Sequence, residues 1–426
     1  MIILKENDRG NKVSKLQSIL RQLKFYKEPV DGIFGAKTKE AVINFQKSNG
    51  LLDTGIVDDL TMDAIDRYRN GYFIYSVEKG DTLSGIGEKY GVSLQQLVMI
   101  NKLEDDSILT IGQELIIPYP GINIVPTDVK YDYEVLERNI KSLKVLYPFL
   151  QVGTIGESVL GKKMYYLRLG TGEKEVGYNG AHHAIEWITS TFLMKFIEEF
   201  SKVYSKKQEF FGYSPEKIWN EASMYIVPMV NPDGVDLVIN GVEESNPYYD
   251  KLIKWNKGSK DFSTTWSANI RGVDLNHNYD ASFEESKKAE ESYGVFGPGP
   301  TRYGGPYPQS EPESNNLVNF TREHDFRLVL AYHSQGEVIY WQYLDEAPQE
   351  ALPIGETFAK ISGYSLSETT GITSFAGYKD WFIKEFNRPG YTVEVGLGKN
   401  PLPLSQICEI YRDNAGVLME AAIITE

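Results

Sequence analysis

The chain has a single cysteine, Cys408, so an intrachain disulfide is excluded and a small buried apolar role is expected for that thiol. Long hydrophobic runs are missing too, and no stretch approaches the ~20 apolar residues that cross a bilayer. The first twenty residues, MIILKENDRGNKVSKLQSIL, lack a charged start, an apolar stretch and a small-residue cleavage site. No standard secretory signal is therefore expected in the chain as it stands. Positive charge is in deficit. The formal net charge of −15 argues against a nucleic-acid binder, which needs a basic stripe. Residues 1–125 carry 15 basic against 17 acidic side chains, so most of the acidity lies beyond them. What is present, 41% hydrophobic and 24% charged residues in 426, suits a soluble globular protein of two to four domains.

The first segment is helical in its periodicity. Val13, Leu16, Ile19, Leu20 and Leu23 recur at helical spacing, and Ala41, Val42 and Phe45 do so after Thr38. Between them lies the glycine-punctuated turn VDGIFG at 30–35, and GLLDTGIVDDLT follows at 50–61. These elements closely resemble the small three-helix peptidoglycan-binding domain, here assigned to residues 1–70. In the next segment YFIYSV alternates like a strand, Gly80-Asp81-Thr82 and Ser93 read as helix starts, and ELIIP closes as a strand. That strand-helix-helix-strand order, with GDTLSGIGEKYGVSLQQLVMIN, resembles a LysM domain over 71–119. The resemblance implies a groove for N-acetylglucosamine-containing chains.

Residues 120–130, with proline and glycine, read as a linker. From 131 to 426 the pattern changes to short apolar strands, such as VGYNGA, MYIVPMVN, RLVLAYHS and YTVEVG, separated by helical stretches. The expected fold of this part is α/β, a mixed sheet flanked by helices, with active residues at strand carboxyl ends. His183 just follows one such strand and His333 ends another. His183 and Glu186, three apart in HAIE, can share one face of a helical turn and so grip one ion. Two histidines, one carboxylate and an open position are what a catalytic zinc requires, with a further carboxylate to take a proton from water.

Several ordered motifs over residues 131–426 resemble the zinc carboxypeptidases related to pancreatic carboxypeptidase A. They are HHAIEW at 182–187, NPDG at 231–234, RGVDLNHNY at 271–279, SEPE at 310–313, YHSQG at 332–336 and YTVEVG at 391–396. The resemblance is strongest to the bacterial branch that cleaves γ-D-glutamyl–diamino acid bonds of peptidoglycan. It implies one Zn2+ per catalytic domain held by His183, Glu186 and His333, with Glu394 as general base and Arg271 as the cation that stabilises the tetrahedral oxygen. Asp274 is expected to orient a metal-bound imidazole. His182, without a carboxylate three residues on, is expected to be structural, His324 in TREHDF solvated, and Trp187 and Trp381 core aromatics.

The chain departs from the family's exopeptidases in its substrate-binding positions. Their carboxylate-clamping Asn-Arg pair is Asn276-His277 here, and histidine is a weaker carboxylate fork than arginine. The position of the family's mobile tyrosine falls on Ile372, with Tyr378 as a nearby substitute, and the pocket-floor position falls on Lys379, which favours an anion. The expected function is hydrolysis of the γ-D-glutamyl bond to meso-diaminopimelate or lysine in stem peptides, with peptidoglycan glycan chains as the other partner. The alternatives are a metallocarboxypeptidase of broader C-terminal specificity and an inactive wall-binding protein. The expected location is cytoplasmic, or associated with a spore or the cell wall of a bacterium, by an export route the sequence does not name.

Overall fold

Val13, Leu16, Ile19 and Leu20 lie along one side of the helix Asn11–Gln22, and all four are buried. Together with the helices Ala36–Ser48 and Asp59–Arg69 they close a core around Phe34, Val42, Phe45 and Ile65. The computed structural model describes residues 2–104 and 107–424. It adds to the three expected helices a short antiparallel pair, Ile2–Leu4 with Val57–Asp58. Two buried glutamines organise this core in the same way. Gln17 accepts from the Asp31 and Gly32 amides at 3.1 and 2.8 Å and donates to the Ile33 carbonyl at 3.0 Å. Gln46 accepts from the Gly55 amide at 2.9 Å and donates to the Ile56 carbonyl at 2.8 Å. Gly32 and Gly55 both sit at φ +70°, a backbone region that favours glycine. Each glutamine thus satisfies the buried backbone of a tight turn that leads into the next helix.

The strand Tyr72–Ser76, the helices Leu83–Tyr90 and Leu94–Asn101, and the strand Glu114–Pro118 follow in the βααβ order. The strands pair antiparallel from Tyr72 opposite Pro118 to Ser76 opposite Glu114. Thr82 Oγ1 accepts from the Gly85 amide at 3.1 Å, and Ser93 Oγ from the Gln96 amide at 3.2 Å, so both helices start on side-chain caps.

The segment read as a linker is irregular but not slack. The Asn123 amide donates to Gln22 Oε1 at 2.9 Å, Ser18 Oγ donates to Asp128 Oδ1 at 2.5 Å, and Ile124, Val125 and Val129 are buried. Two compact units result, residues 1–130 with 134–150, and residues 131–133 with 151–426. Most of the helix Tyr133–Leu146 therefore belongs to the first unit, where Glu134 meets Lys15 at 2.7 Å. Its periodicity shows an apolar stripe but not what the stripe packs on.

In the second unit, eight strands among the described residues form one mixed sheet. Their order is Ser365–Ser367, Val338–Tyr340, Gly390–Glu394, Phe326–His333, Lys174–Gly180, Ala222–Val227, Lys163–Leu169, Gln151–Glu157. The central four are mutually parallel. Ala222–Val227 is buried at every position, as a strand covered on both faces must be. On one face Tyr332 packs on Phe192 of the helix Ile188–Ser205, and the Tyr178 hydroxyl donates to the Leu418 carbonyl of the helix Ile407–Ile423. On the other, Val329 and Ala331 join Leu317, Trp381 and Phe382 from the helices Pro312–Arg322 and Tyr378–Phe386. Glu394 pairs with His333 and Gly180 with Tyr332, so three parallel strands end side by side.

Two expectations are corrected. Cys408 is exposed, because Ile407 and Ile410 take the inward face of its helix. His324 is only partly exposed; its ring lies 4.2 Å from that of Tyr225 and 5.0 Å from that of Phe326, with Glu175 at 3.2 Å. Trp187 and Trp381 are buried as expected. No described helix is long and apolar enough to cross a membrane.

Candidate metal centre and active-site cavity

The loop after Lys174–Gly180 is braced before it reaches His183. The Val230 and Asn231 amides donate to the Gly180 and Ala181 carbonyls at 3.0 and 3.1 Å. Asn231 Nδ2 donates to the His182 carbonyl at 3.0 Å, while its Oδ1 accepts from the Gly234 amide and caps the helix Pro232–Asn240. The NPDG motif therefore props the HHAIEW motif. Thr189 Oγ1 accepts from the Ala181 amide and donates to the Glu186 carbonyl, each at 2.8 Å. His183 then opens a 3-10 turn, Ala184–Glu186, in which residues three apart eclipse and face the same way.

This turn brings His183 Nδ1 to 2.9 Å from Glu186 Oε1. His333, at the end of its strand, places Nδ1 3.0 Å from Glu186 Oε2 and 3.3 Å from His183 Nδ1. The three donor atoms lie within 4.8 Å of one another. A tetrahedral ion with ligands at 2.0–2.1 Å needs donor separations of about 3.3 Å, so the set fits zinc. The tautomer fits as well. Asp274 Oδ1 lies 3.1 Å from His183 Nε2, which keeps the proton there and leaves the Nδ1 lone pair facing the cluster. Asp274 is itself held by the Arg302 amide at 2.7 Å and Thr301 Oγ1 at 3.2 Å. Asn400 Nδ2 reaches Glu186 Oε1 at 3.4 Å and the Ser334 carbonyl at 2.6 Å, a contact that no sequence signal announced.

The electrostatics follow from this crowding. Burial raises the Glu186 carboxyl, but the His183 and His333 imidazoles outweigh it and hold its pKa below the usual carboxylate range. Burial lowers His183, yet Glu186 and Asp274 together push it well above an ordinary histidine. Burial also pushes the Glu394 carboxyl well up, helped by nearby Glu186 and opposed by His183. His182 is pulled well down, first by burial and then by the neighbouring imidazoles. Its Nε2 meets the Tyr279 hydroxyl at 2.9 Å within the core, in keeping with a structural residue.

A cavity of about 580 Å³ opens over the cluster, lined in part by His183, Glu394, Asn276, His277, Lys379 and Arg302. The structure thus brings together most of the residues singled out in the sequence, but two it does not. Tyr378 is fully buried, with its hydroxyl 2.9 Å from Thr321 Oγ1 and its amide donating to Asn276 Oδ1 at 3.1 Å. It occupies the inward side of its helix's first turn and does not reach the cavity. Arg271 also points elsewhere, donating to the Tyr248 hydroxyl at 3.3 Å with Glu311 at 3.6 Å. The arginine found among the cavity-lining residues is Arg302, supplied by a loop thirty-one residues further on, with its guanidinium over the Tyr293 ring.

Parallel strands that end at two histidines and a glutamate, with another glutamate beside them, define a metallopeptidase of the α/β type. Comparison with known proteins narrows this. A family profile described as zinc carboxypeptidase matches residues 136–416, and the chain belongs to that family. Profiles for a putative peptidoglycan binding domain and a LysM domain match 9–65 and 75–118. The chain is 41% identical over 289 residues to gamma-D-glutamyl-L-diamino acid endopeptidase 1 of Lysinibacillus sphaericus, covering 68% of this chain and 71% of that one. It is 38% identical over 299 residues to the uncharacterized protein YqgT of Bacillus subtilis, covering 70% and 78%. Among solved structures, carboxypeptidase A from Helicoverpa armigera superposes with a TM-score of 0.52 at 20% identity, over 70% of this chain and 74% of that one. At that identity it speaks for the fold.

Proposed function

We propose that this protein hydrolyses the bond between γ-D-glutamate and the L-centre of a diamino acid in peptidoglycan stem peptides. The observation that carries the reading is the cluster of His183, Glu186 and His333 with Glu394 in register beside it. The 41% identity to an endopeptidase of that name, and two modules whose families bind cell-wall polymer, point to the same substrate independently. His183, Glu186 and His333 would hold a zinc ion, which would supply Lewis acidity, lowering the pKa of water toward ~7 and polarising an amide carbonyl.

The remaining steps belong to the chain. Glu394 takes a proton from water on its carboxylate and hands it to the leaving nitrogen. Asp274 holds the proton of His183 on Nε2, so the ring is correctly turned with Nδ1 facing the cluster. Asn400 steadies Glu186. Arg302 lines the cavity and Arg271 does not, so Arg302 replaces Arg271 as the candidate to share the charge on the carbonyl oxygen. Asn276 and His277 form a weaker carboxylate clamp than Asn-Arg, which suits cleavage within a peptide. The two N-terminal modules hold the enzyme to wall or wall fragments and raise local substrate concentration without changing the chemistry.

Mass spectrometry of muropeptides digested by the wild type and by Glu394→Ala tests the reading. The wild type is expected to release products split after γ-D-glutamate, and the variant none. Products split only at a free C-terminal residue would instead establish a broader carboxypeptidase.

A further inference from the structure

Glu394 stands between two ends of the cavity wall. At one end Tyr340 lies opposite Thr392, two residues before Glu394, and the Gln342 carbonyl just past Tyr340 accepts from Lys379 Nζ at 2.5 Å. Asn276 belongs to the same end, since its Oδ1 accepts from the Tyr378 amide at 3.1 Å. The chain leaves Glu394 away from that end, and residues 395–400 carry Lys399 and Asn400 into the cavity lining beside Glu186 and Ser334.

This loop is held along its length. The Val395 amide donates to the His333 carbonyl at 2.9 Å, and the Gly396 carbonyl accepts from the Gly336 amide at 2.8 Å. The Leu397 amide donates to Gln406 Oε1 at 3.0 Å, and the Gly398 amide to Gln335 Oε1 at 3.2 Å. Asn400 grips Ser334 with both ends of its amide, Nδ2 donating to the carbonyl at 2.6 Å and Oδ1 accepting from Oγ at 2.8 Å. Lys399, exposed between Gly398 and Asn400, is thus presented from a fixed support next to the metal cluster.

Lys379, Arg302 and Lys399 are the lysines and arginines among the described residues lining the cavity. Lys379, expected as a lone cation, is 3% exposed and paired with Asp380. Arg302 lies over the Tyr293 ring at 4.7 Å and is the candidate for the carbonyl oxygen. Lys399 has no carboxylate partner among the described residues. An anion on the substrate is its complement. A γ-linked glutamyl residue gives its side-chain carbonyl to the scissile bond, so its α-carboxylate stays free on the acyl side. An α-linked residue has no carboxylate at that place. The clamp of Asn276 and His277 assigns the amine side of the bond to the first end, which leaves the acyl side to Lys399.

We propose that Lys399 is a specificity residue that pairs with the free α-carboxylate of the γ-glutamyl residue and so reads the γ linkage. This rests on the hydrolytic reading above and adds the group recognised on the acyl side. Because Lys399 is exposed, the contact is modest and is screened by salt.

The test compares kcat/KM of the zinc-loaded full chain on L-Ala-γ-D-Glu-diaminopimelate and on the same peptide amidated at the glutamyl α-carboxylate. The wild type is expected to favour the free acid by about fivefold, the upper range for an exposed ion pair, through KM more than kcat. That preference is expected to shrink as sodium chloride is added. Lys399→Met is expected to erase the preference, and Lys399→Arg, which keeps the charge, to retain it. An equal fall on both peptides in Lys399→Met, with the preference intact, marks a structural support and overturns the inference. Equal cleavage of the two peptides by the wild type, or preference for the amide, also overturns it while leaving the function standing. Cleavage of neither peptide overturns the functional reading and this inference with it.

Discussion

Among the described residues, the buried polar side chains of the first unit, apart from Lys15, are uncharged: Gln17, Ser18, Thr38, Gln46, Thr61, Asn139 and Ser142. Gln17 and Gln46 are satisfied by the backbone of the turns they organise. Those of the second unit include twelve ionisable ones among the described residues. Glu186, Asp274 and His333 are buried together with half-buried His183, and Glu313 lies buried among Asn269, Asp233 and Glu311. Neutral groups paired with backbone hold over a wide range of pH and need no ion. Two imidazole nitrogens 3.3 Å apart, flanked by a carboxylate, need a cation or a proton among them. The buried glutamines of the first unit need neither metal nor a particular pH, whereas the metal cluster of the second needs both.

The comparison breaks most visibly at Glu394. Its replacement by Gln is expected to cut hydrolysis by ~10²–10⁴-fold, the range for loss of a general base, while binding to sacculi stays unchanged in a pull-down. Zinc removal comes next. Chelation is expected to lower the unfolding transition of the second unit by about 4 kcal/mol if zinc had stood at a thousand times its dissociation constant. The first unit's transition, followed in the same calorimetric scan, should not move. Zinc affinity is also expected to fall as pH drops, because protons compete with the ion for His183, whose pKa Glu186 and Asp274 raise.

Glu313 sharpens the contrast without metal. Burial pushes its carboxyl up to about 7, so the folded protein holds that proton where the unfolded chain has released it. The stability it contributes is fully present below about pH 4.5 and is lost as pH rises through about 7, on the order of 3 kcal/mol. Glu313→Gln is expected to flatten that slope in urea unfolding followed from pH 4.5 to 8. The smallest effect belongs to the first unit. Gln17→Ala leaves the Asp31 and Gly32 amides short of a partner and should cost about 1–3 kcal/mol there, at any pH. Hydrolysis of soluble muropeptides should be untouched.

How far the site was legible depends on whether a residue is fixed by its own strand or turn. His183, Glu186, His333 and Glu394 sit at strand ends or in the turn after one, where motif and position agree, and they came together. The second group depended on loop paths and helix rotation, which no local pattern encodes. Tyr378 and Lys379 are neighbours in sequence, yet the first turn of their helix sends one into the core and the other to the cavity. Arg271 lies beside a recognisable motif, but the loop carrying Arg302 is the one that returns to Asp274. The modules were legible as folds because their turns carry specific glycines and caps. The apolar residues at 124, 125 and 129 gave no warning that a segment with linker composition would bury along the first helix.

Hydrolysis by this centre requires a zinc ion at the His183, Glu186 and His333 cluster. Anomalous diffraction at the zinc edge, from crystals of zinc-loaded protein, should show one strong peak about 2.0–2.2 Å from His183 Nδ1, His333 Nδ1 and a Glu186 oxygen, with Glu394 beside it and not bound to it. A peak elsewhere, or none at this cluster in fully loaded protein, would contradict the account.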